Sequence, residues 1–168
     1  MSGTIIVRDA KREDMPTVMD MIVELATFEG YPNGSKLTAE ILERDGFDVS
    51  PPRFVCMVAE CTKTNKLVGY ILGNFAYSSW CGNAMYVEDF YVKSNLRGEK
   101  IGHRLWKGFC QMARDNECSR IDWHCLVDNK IAVKFYKSHG GYDVCADENR
   151  TCLRAKKDAI LNVANSED

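Results

Sequence analysis

The chain has 168 residues, of which 45% are hydrophobic and 27% are charged, and its formal net charge is -2. This length and composition predict a single domain over residues 1–168 that buries a substantial core. The small net charge gives no reason to expect nucleic acid or a membrane surface as a partner, and no apolar stretch is long enough to span a bilayer.

Eight cysteines and three histidines are candidate metal ligands. They contain no CxxC pair and no zinc-site spacing of cysteine with histidine, so we expect no metal. The opening "MSGTIIVRDAKREDM" lacks the apolar run of a secretory leader, and the chain can build its own core. We therefore expect eight reduced thiols, several of them buried.

The first predicted elements are a strand, a long helix and a short helix. "GTIIVRDA" indicates the strand. Apolar residues recur at helical spacing from Met15 to Ala26, with Pro16 in the first turn and Gly30 as a stop. Thr38 is a candidate cap for a short helix over residues 39–44.

Three strands and a helix follow. "RFVCMVAEC" and "KLVGYILGNFAY" flank the turn "TKTN", a pattern typical of an antiparallel hairpin, and "NAMYVEDFYV" indicates a third strand. "GEKIGHRLWKGFCQMARDNE" places apolar residues from Ile101 to Ala113 on one side of a helix, which predicts a buried stripe.

In the last third of the chain, predicted strands and helices alternate again. "RIDWHCLV" indicates a strand, "NKIAVKFYKSHGG" a helix ended by Gly140 and Gly141, and "YDVCA" with "RTCLRA" a closing hairpin. The tail "KKDAILNVANSED" starts as a helix. The order β-α-α-β-β-β-α-β-α-β-β predicts an α/β fold, with a mixed, mostly antiparallel sheet and helices on both faces.

The stretch "NLRGEKIGHRL" is the first candidate site, because it leads from a strand directly into a helix. A helix N-terminus presents unpaired N–H groups that favour phosphate, and Arg97 adds positive charge. The spacing of Gly98 and Gly102 fits neither the P-loop nor the dinucleotide fingerprint. An ordinary glycine-containing turn remains the alternative.

Two adjacent carboxylates, Glu88 and Asp89, interrupt the apolar strand before this loop. Buried carboxylates are costly unless they are paired or functional. Strand alternation sends neighbours to opposite faces, but a β-bulge could bring both toward one cleft. The alternative is that one of them faces solvent.

The helix "NKIAVKFYKSHGG" supplies a third candidate. Asn129 suits an N-cap, and Tyr136 lies nearly two turns later, close to the same face. A tyrosine hydroxyl can protonate a leaving group, although a lone tyrosine is more often a core residue with a satisfied hydroxyl.

Together these motifs resemble the GCN5-related N-acetyltransferases. The resemblance rests on "YVEDFYV", on R-G-x-x-I-G and on N-x-x-A-x-x-F-Y-x-x-x-G, and it covers about residues 4–155. "LATFE", "RDGF", "FVCMVAE" and "YSSWCGN" are similar to the branch that contains the diamine (spermidine/spermine) and thialysine acetyltransferases.

The resemblance implies acetyl-coenzyme A as co-substrate and a small-molecule amine as acceptor. It implies Tyr136 as general acid and Glu88 as the group that assists deprotonation. No cysteine has a recognisable Cys–His–Asn setting, and Cys125 and its neighbour His124 point opposite ways on a strand, so we expect direct transfer rather than an acetyl-cysteine. The implied acceptor site is Phe28, Glu29, Trp80, Glu88 and Asp89. The implied coenzyme site is Phe90, Tyr91, Val92, Arg97, Gly98, Glu99, Lys100, Ile101, Gly102, His103, Asp122, Trp123, His124, Asn129, Lys130, Ile131 and Ala132.

Two departures from the family pattern bear on function. Lys100 stands where the family usually has glycine, and Ser78 stands where the polyamine enzymes have an acid. The missing acid favours thialysine or another lysine analogue over a long polycation. The resemblance also implies a cytosolic homodimer. A protein lysine or N-terminal acetyltransferase and a non-catalytic coenzyme A-binding module remain the alternatives.

Overall fold

A computed structural model describes residues 4–166, which divide into two compact units. The first unit ends at His124 and contains a five-stranded sheet with three α-helices. The second begins at Cys125 and contains three further helices. No helix in the described range is long and apolar enough to cross a membrane.

The sheet has the strand order β1-β2-β3-β4-β5. Its first four strands are joined in antiparallel pairs, and β4 pairs with β5 in parallel. The predicted mixed, mostly antiparallel sheet is thus confirmed. The strands are Ile5–Asp9 (β1), Val55–Cys61 (β2), Lys66–Ser78 (β3), Gly82–Val92 (β4) and Arg120–Trp123 (β5).

Three helices accompany the sheet. They are Met15–Phe28 (α1), Ala39–Glu43 (α2) and Ile101–Asp115 (α3), with short helical turns over Arg12–Asp14, Arg44–Asp48 and Ser94–Leu96. Thr38 caps α2, as predicted, because its hydroxyl accepts the N–H of Ile41 at 3.4 Å. Gly30 ends α1 at a φ of +85°, a conformation that favours glycine.

The helices cover both faces of the sheet. On one face, Tyr70 and Leu72 of β3 pack in a cluster with Met15 and Val18 of α1. On the other, the apolar stripe of α3 buries Leu105 and Phe109, among others. Because successive side chains of a strand point to opposite faces, Gly69 and Gly73 of β3 lie on the α3 side. A Cβ at Gly69 would stand 3.2 Å from a methyl carbon of Leu105.

Gly73 marks a close approach between elements. A Cβ at this position would lie 2.3 Å from the backbone oxygen of Tyr86 and 2.7 Å from Cζ of Phe109. The first contact is with backbone, which cannot move aside without disturbing β4. Glycine is therefore required where α3 and β4 meet β3.

The second unit contains Lys130–Ser138 (α4), Val144–Asp147 (α5) and Lys157–Ala164 (α6). The predicted closing hairpin over "YDVCA" and "RTCLRA" is therefore wrong. Asp143 caps α5 by accepting the N–H groups of Cys145 and Ala146, so the first of these segments turns into a helix. Leu153 in the second segment is 87% exposed, and residues 151–156 have no regular structure.

The cysteines also differ from expectation. Several buried thiols were expected, but only Cys56 is buried, and the other seven reach the surface to different extents. Burial raises the pKa of the Cys56 thiol well above its usual range, with smaller contributions from nearby carboxylates. Most of the cysteines therefore lie at least partly outside the core.

Replacing Gly73 with alanine tests the close approach. We expect Gly73→Ala to lower the free energy of unfolding by about 1–3 kcal/mol, because the new Cβ overlaps backbone. Urea denaturation of the purified protein measures this change in the free energy of unfolding.

Gly108→Ala is the matched control. A Cβ there meets the flexible end of Met57 at 3.0 Å, and alanine gains helix propensity in α3. Equal losses in both variants would contradict the assignment of Gly73 as a backbone contact.

Candidate active site

A β-bulge interrupts β4 at the two carboxylates. Leu72 pairs with Asp89, whereas Gly73 pairs with Val87, so Glu88 is an extra residue in β4. Strict alternation would place Val87 and Asp89 on one face, but the bulge puts Asp89 on the face of Leu72 and Val87 on the α3 side. A bulge is thus present, with Glu88 at the point where the alternation changes. Glu88 is exposed, which agrees with the alternative that one of the two carboxylates faces solvent.

Asp89 is half-buried and receives a hydrogen bond. The hydroxyl of Tyr70, which is fully buried, donates to Oδ2 of Asp89 at 3.0 Å. Burial raises the pKa of Asp89, the Tyr70 hydrogen bond opposes that rise, and the charges of Glu88 and Glu29 add to it. The carboxyl group is thus held in place but is short of positive partners.

Glu29 brings a third carboxylate to this region from the end of α1. Its negative charge contributes to the raised pKa values of Asp89 and Tyr70. Removal of water by neighbouring groups raises the pKa of Glu29. Within residues 4–166, none of these three carboxylates forms an ion pair with a basic side chain.

Phe28 adjoins Glu29 and is 53% exposed. The guanidinium of Arg97 lies 5.0 Å from the centre of its ring and 5.7 Å from the ring of Tyr91, and Nε of Arg97 donates to the backbone oxygen of Val92 at 3.1 Å. Cation–π contacts of this kind fix the arginine. The loop that was predicted to bind phosphate is thereby joined to the end of α1.

Trp80 is the acceptor-site candidate that the structure does not bring to the carboxylates. It lies in the turn between β3 and β4 and is 81% exposed, at the opposite end of β4 from Asp89. Its backbone N–H donates to Oγ of Ser78 at 3.2 Å. A role for Trp80 in acceptor binding stays a prediction.

The strands β4 and β5 separate at the bulge. Their ladder runs from Ala84 with Arg120 to Val87 with Trp123 and ends there. Along β4 from residue 88 to 92, the backbone facing β5 therefore has no strand partner in the described structure. A strand edge of this kind offers N–H and C=O groups to a ligand. Phe90, Tyr91 and Val92, which belong to the coenzyme site implied by the family resemblance, lie on this edge.

The phosphate-loop candidate combines two left-handed residues with a helix N-terminus. Gly98 has a φ of +89° and Lys100 a φ of +60°, and α3 begins at the next residue, Ile101. The Lys100 side chain does not cap the helix. The first N–H groups of an α-helix have no partner within the helix, so Ile101, Gly102 and His103 present an anion-binding end.

This geometry explains why a glycine suits position 100. A non-glycine residue in the left-handed region bears a cost of about 1 kcal/mol from its Cβ. Lys100 adopts the left-handed conformation despite its Cβ. Lysine in place of the family's usual glycine therefore keeps the turn and its backbone N–H groups intact. Glu99 lies between the two left-handed residues of this turn.

Aromatic rings of α3, β4 and β5 contact one another near the start of α3. Phe90 and Trp106 have ring centroids 6.3 Å apart, and Trp106 meets the ring of Trp123 edge-on at 5.3 Å. A Cβ at Gly102 would lie 3.4 Å from Cζ of Phe90, an ordinary contact. The start of α3 is therefore packed against the separated strands.

The end of β5 carries two further candidates. Asp122 accepts a hydrogen bond from Nε of Arg120 at 2.9 Å on the surface. The Tyr86 hydroxyl and Nδ1 of His124 form a hydrogen bond, with their rings edge-to-face at 5.6 Å. His124 thus contacts β4 next to the point where the strands part.

The remaining candidates lie in the second unit. Oδ1 of Asn129 accepts the N–H of Ala132 at 3.1 Å, which confirms the predicted N-cap of α4. Nζ of Lys130 donates to the backbone oxygen of Val127, and Ile131 is 77% exposed. Tyr136 is half-buried on α4, with its ring 5.5 Å from that of Phe135. Its role as general acid stays a prediction.

Tyr70 and Tyr86 were not predicted as site residues. Each stands in an apolar strand, where an aromatic residue is ordinarily read as core. The feature of the sequence that could have indicated a site role is the tyrosine hydroxyl itself, because a buried tyrosine hydroxyl needs a hydrogen-bond partner. Nothing local to "KLVGYILGNF" identifies Asp89 as that partner.

Comparison with known proteins decides the family. The sequence profile of the acetyltransferase (GNAT) family matches residues 19–141. The chain belongs to the GNAT family. It is therefore an N-acetyltransferase, a family whose members use acetyl-coenzyme A.

Relatives of this GNAT enzyme extend over nearly the whole chain. It is 35% identical to the thialysine N-epsilon-acetyltransferase of Sus scrofa, with 96% of this chain and 98% of the relative covered. It is 32% identical to the spermidine/spermine N(1)-acetyltransferase-like protein 1 of Homo sapiens, over 94% of this chain and 23% of that protein.

A solved structure agrees with the GNAT fold. AAC(6')-Iy, in complex with the bisubstrate analogue CoA-S-monomethyl-acetylneamine, superposes with a TM-score of 0.72 at 11% identity. The match covers 92% of this chain and 99% of that one. At this level of identity the similarity shows the fold.

Replacing Lys100 tests the left-handed turn of this GNAT enzyme. We expect Lys100→Gly to be more stable than Lys100→Ala by about 1 kcal/mol, because alanine keeps the Cβ in the left-handed region and glycine removes it. Urea denaturation compares the two variants.

Lys107, an exposed residue inside α3, is the matched control. There Lys107→Gly should be less stable than Lys107→Ala by about 1 kcal/mol, since helix propensity alone acts. If the stability difference between the glycine and alanine variants had the same sign at positions 100 and 107, the explanation from the left-handed conformation would be refuted.

Proposed function

We propose that this enzyme transfers the acetyl group of acetyl-coenzyme A to the amine of a small molecule, namely thialysine, another lysine analogue or a diamine. The observation that carries the proposal is the group of three carboxylates Glu29, Glu88 and Asp89, which have no basic partner among the described residues. The similarity to a thialysine N-epsilon-acetyltransferase supports the choice of acceptor.

The carboxylates are suited to an ammonium ion. Burial raises the pKa values of Asp89 and Glu29, which means that their charges lack solvation and counter-charge in the free protein. An arriving cation supplies the missing charge, and a neutral acceptor does not. The site therefore selects amines that are protonated in solution.

The separated strands and the start of α3 fit the coenzyme. The strand edge from residue 88 to 92 offers backbone groups to an extended amide-containing arm, and the left-handed turn with the N-terminus of α3 suits a pyrophosphate. Arg97 and Lys100 add positive charge beside that turn. Acetyl-coenzyme A supplies the activated thioester.

The proposed catalytic steps are these. An alkyl ammonium has a pKa of about 10.4 and must lose a proton before its nitrogen is nucleophilic. Glu88, directly or through a water molecule, accepts that proton. Backbone N–H groups of β4 at the bulge stabilise the negative charge that develops on the carbonyl oxygen. Tyr136 returns a proton to the leaving thiolate.

Ser78 supports a short acceptor. It is buried, and its hydroxyl accepts the N–H of Trp80. A serine supplies no negative charge for the additional ammonium groups of a long polyamine. A lysine analogue carries a single side-chain amine and needs fewer anionic contacts. A cytosolic homodimer, which the family resemblance implies, stays a prediction.

An amine panel tests the proposed reaction together with Tyr136. We expect release of coenzyme A with thialysine, lysine analogues or diamines, and Tyr136→Phe should reduce turnover by about 100-fold or more, the usual contribution of a general acid. The affinity for acetyl-coenzyme A, measured by calorimetry, should change little.

Tyr142→Phe is the control, since its hydroxyl donates to Glu148 on the surface of the same unit. Tight coenzyme binding without turnover on any amine would indicate a binding module, and acetylation confined to a peptide array would indicate a protein acetyltransferase. Unchanged turnover in Tyr136→Phe would refute the acid assignment.

The charge of Lys100 should contribute to coenzyme affinity. We expect Lys100→Ala and Lys100→Gly both to bind acetyl-coenzyme A more weakly, with a smaller salt dependence, because each loses a cation beside the phosphates. Calorimetry at low and high salt measures this. Wild-type affinity in both variants would show that Lys100 does not contact phosphate.

A further inference from the structure

Tyr70 is a buried residue whose hydroxyl contacts a carboxylate of the proposed acceptor site. It lies on β3 in the apolar cluster with Met15 and Val18 and is fully buried, yet its oxygen lies 3.0 Å from Oδ2 of Asp89. A tyrosine in such a cluster usually serves packing alone, and phenylalanine would fill the same volume. The hydroxyl is therefore the feature that needs an explanation.

The contact follows from the sheet register. Tyr70 pairs with Tyr91 and Leu72 pairs with Asp89, so Tyr70 and Asp89 are diagonal neighbours on one face. A diagonal neighbour lies within reach of a long aromatic side chain. The bulge at Glu88 creates this relation, because it is the bulge that puts Asp89 on the face of Tyr70.

We propose that Tyr70 is the positioning residue of the acceptor site, whose buried hydroxyl holds the Asp89 carboxylate ionised and oriented to bind the substrate ammonium. This rests on the proposed amine acetylation. The hydrogen bond occupies Oδ2 and leaves the lone pairs of Oδ1 to accept from a substrate ammonium. Tyr70 acts through Asp89 and does not itself contact substrate.

The surroundings of Asp89 make this hydrogen bond important. The titratable groups that face it are Tyr70 and Cys56 from the sheet, Glu88 beside it in β4, and Glu29 from the end of α1. None of them is a cation. Burial and the two acidic neighbours raise the pKa of Asp89, and the Tyr70 hydroxyl is the group that lowers it. Without the hydroxyl, Asp89 would be protonated at a higher pH.

Tyr70→Phe tests the proposal, since it removes the hydroxyl and keeps the ring. We expect the pKa of Asp89, followed by carboxylate NMR in the full-length protein, to rise by about one unit, the size expected for a hydrogen bond to a charged group. Ammonium binding needs the ionised form, and it is lost as the pH falls through the Asp89 pKa. The acid limb of kcat/KM for thialysine should therefore move up by about one pH unit.

Separate KM values for the two substrates distinguish a positioning role of Tyr70 from a general loss of structure. We expect the KM for thialysine to rise by up to about tenfold at pH values below the Asp89 pKa, with the KM for acetyl-coenzyme A unchanged. Tyr142→Phe, which removes a hydroxyl that donates to a surface carboxylate, should change neither value. Thermal unfolding of each variant checks that the fold is retained.

Asp89→Asn completes a double-mutant cycle. It should abolish the acid limb that Asp89 sets, and adding Tyr70→Phe to it should produce no further change in the KM for thialysine. If Tyr70→Phe raises that KM by the same factor with or without Asp89, the tyrosine is merely structural and the proposal is overturned. A rise in the Asp89 pKa with an unchanged acid limb overturns it as well.

The failure of the proposed function has a different signature. Calorimetry with thialysine and with propane-1,3-diamine measures amine binding to the wild-type protein before any variant is made. Absence of binding and of turnover in the wild type refutes amine acetylation, and with it the role of Asp89 as an ammonium ligand. Normal wild-type turnover with unaltered Tyr70→Phe kinetics refutes only the positioning role.

Discussion

The bulge at Glu88 is the constraint on which the site depends. One extra residue in β4 moves Asp89 to the face of Tyr70 and leaves Val87 on the side of α3. It also coincides with the end of the β4–β5 ladder, so the backbone beyond it faces a gap. A regular strand in this place would continue the sheet and would offer neither the gap nor the carboxylate.

The neighbouring elements accommodate this irregular strand. Gly73 has no side chain where the backbone oxygen of Tyr86 approaches, so β3 and β4 stay in register up to the bulge. Arg97 contacts the ring of Phe28 and the backbone of Val92, which ties the turn before α3 to both α1 and β4. The coenzyme-binding and acceptor-binding candidates thus share one arginine, a direct physical link between the two halves of the site.

Sequence patterns predicted most of the first unit and less of the second. Periodicity located α1 and α3. The pair of carboxylates in an apolar strand allowed a bulge, which is present, and also allowed one carboxylate to face solvent, as Glu88 does. The closing hairpin failed because Asp143 caps a helix where alternation suggested a strand. Tyr70 could not be assigned from the sequence, since its partner Asp89 is fixed by the register across two strands and not by any local pattern.

The balance of charge at Asp89 is the physical basis of the proposed selectivity for amines. A buried carboxylate without a cation is destabilised, and the free protein retains that energetic deficit. In the proposed reaction a bound ammonium would supply the missing counter-charge, so part of the substrate affinity would come from relief of this unfavourable electrostatic energy and not from new apolar contacts. The same reasoning underlies the proposed preference for a short acceptor. With serine at position 78, the anionic character is confined to one end of β4, and further ammonium groups on a long polyamine would gain little there. The proposal therefore favours a lysine analogue, whose side chain carries a single amine.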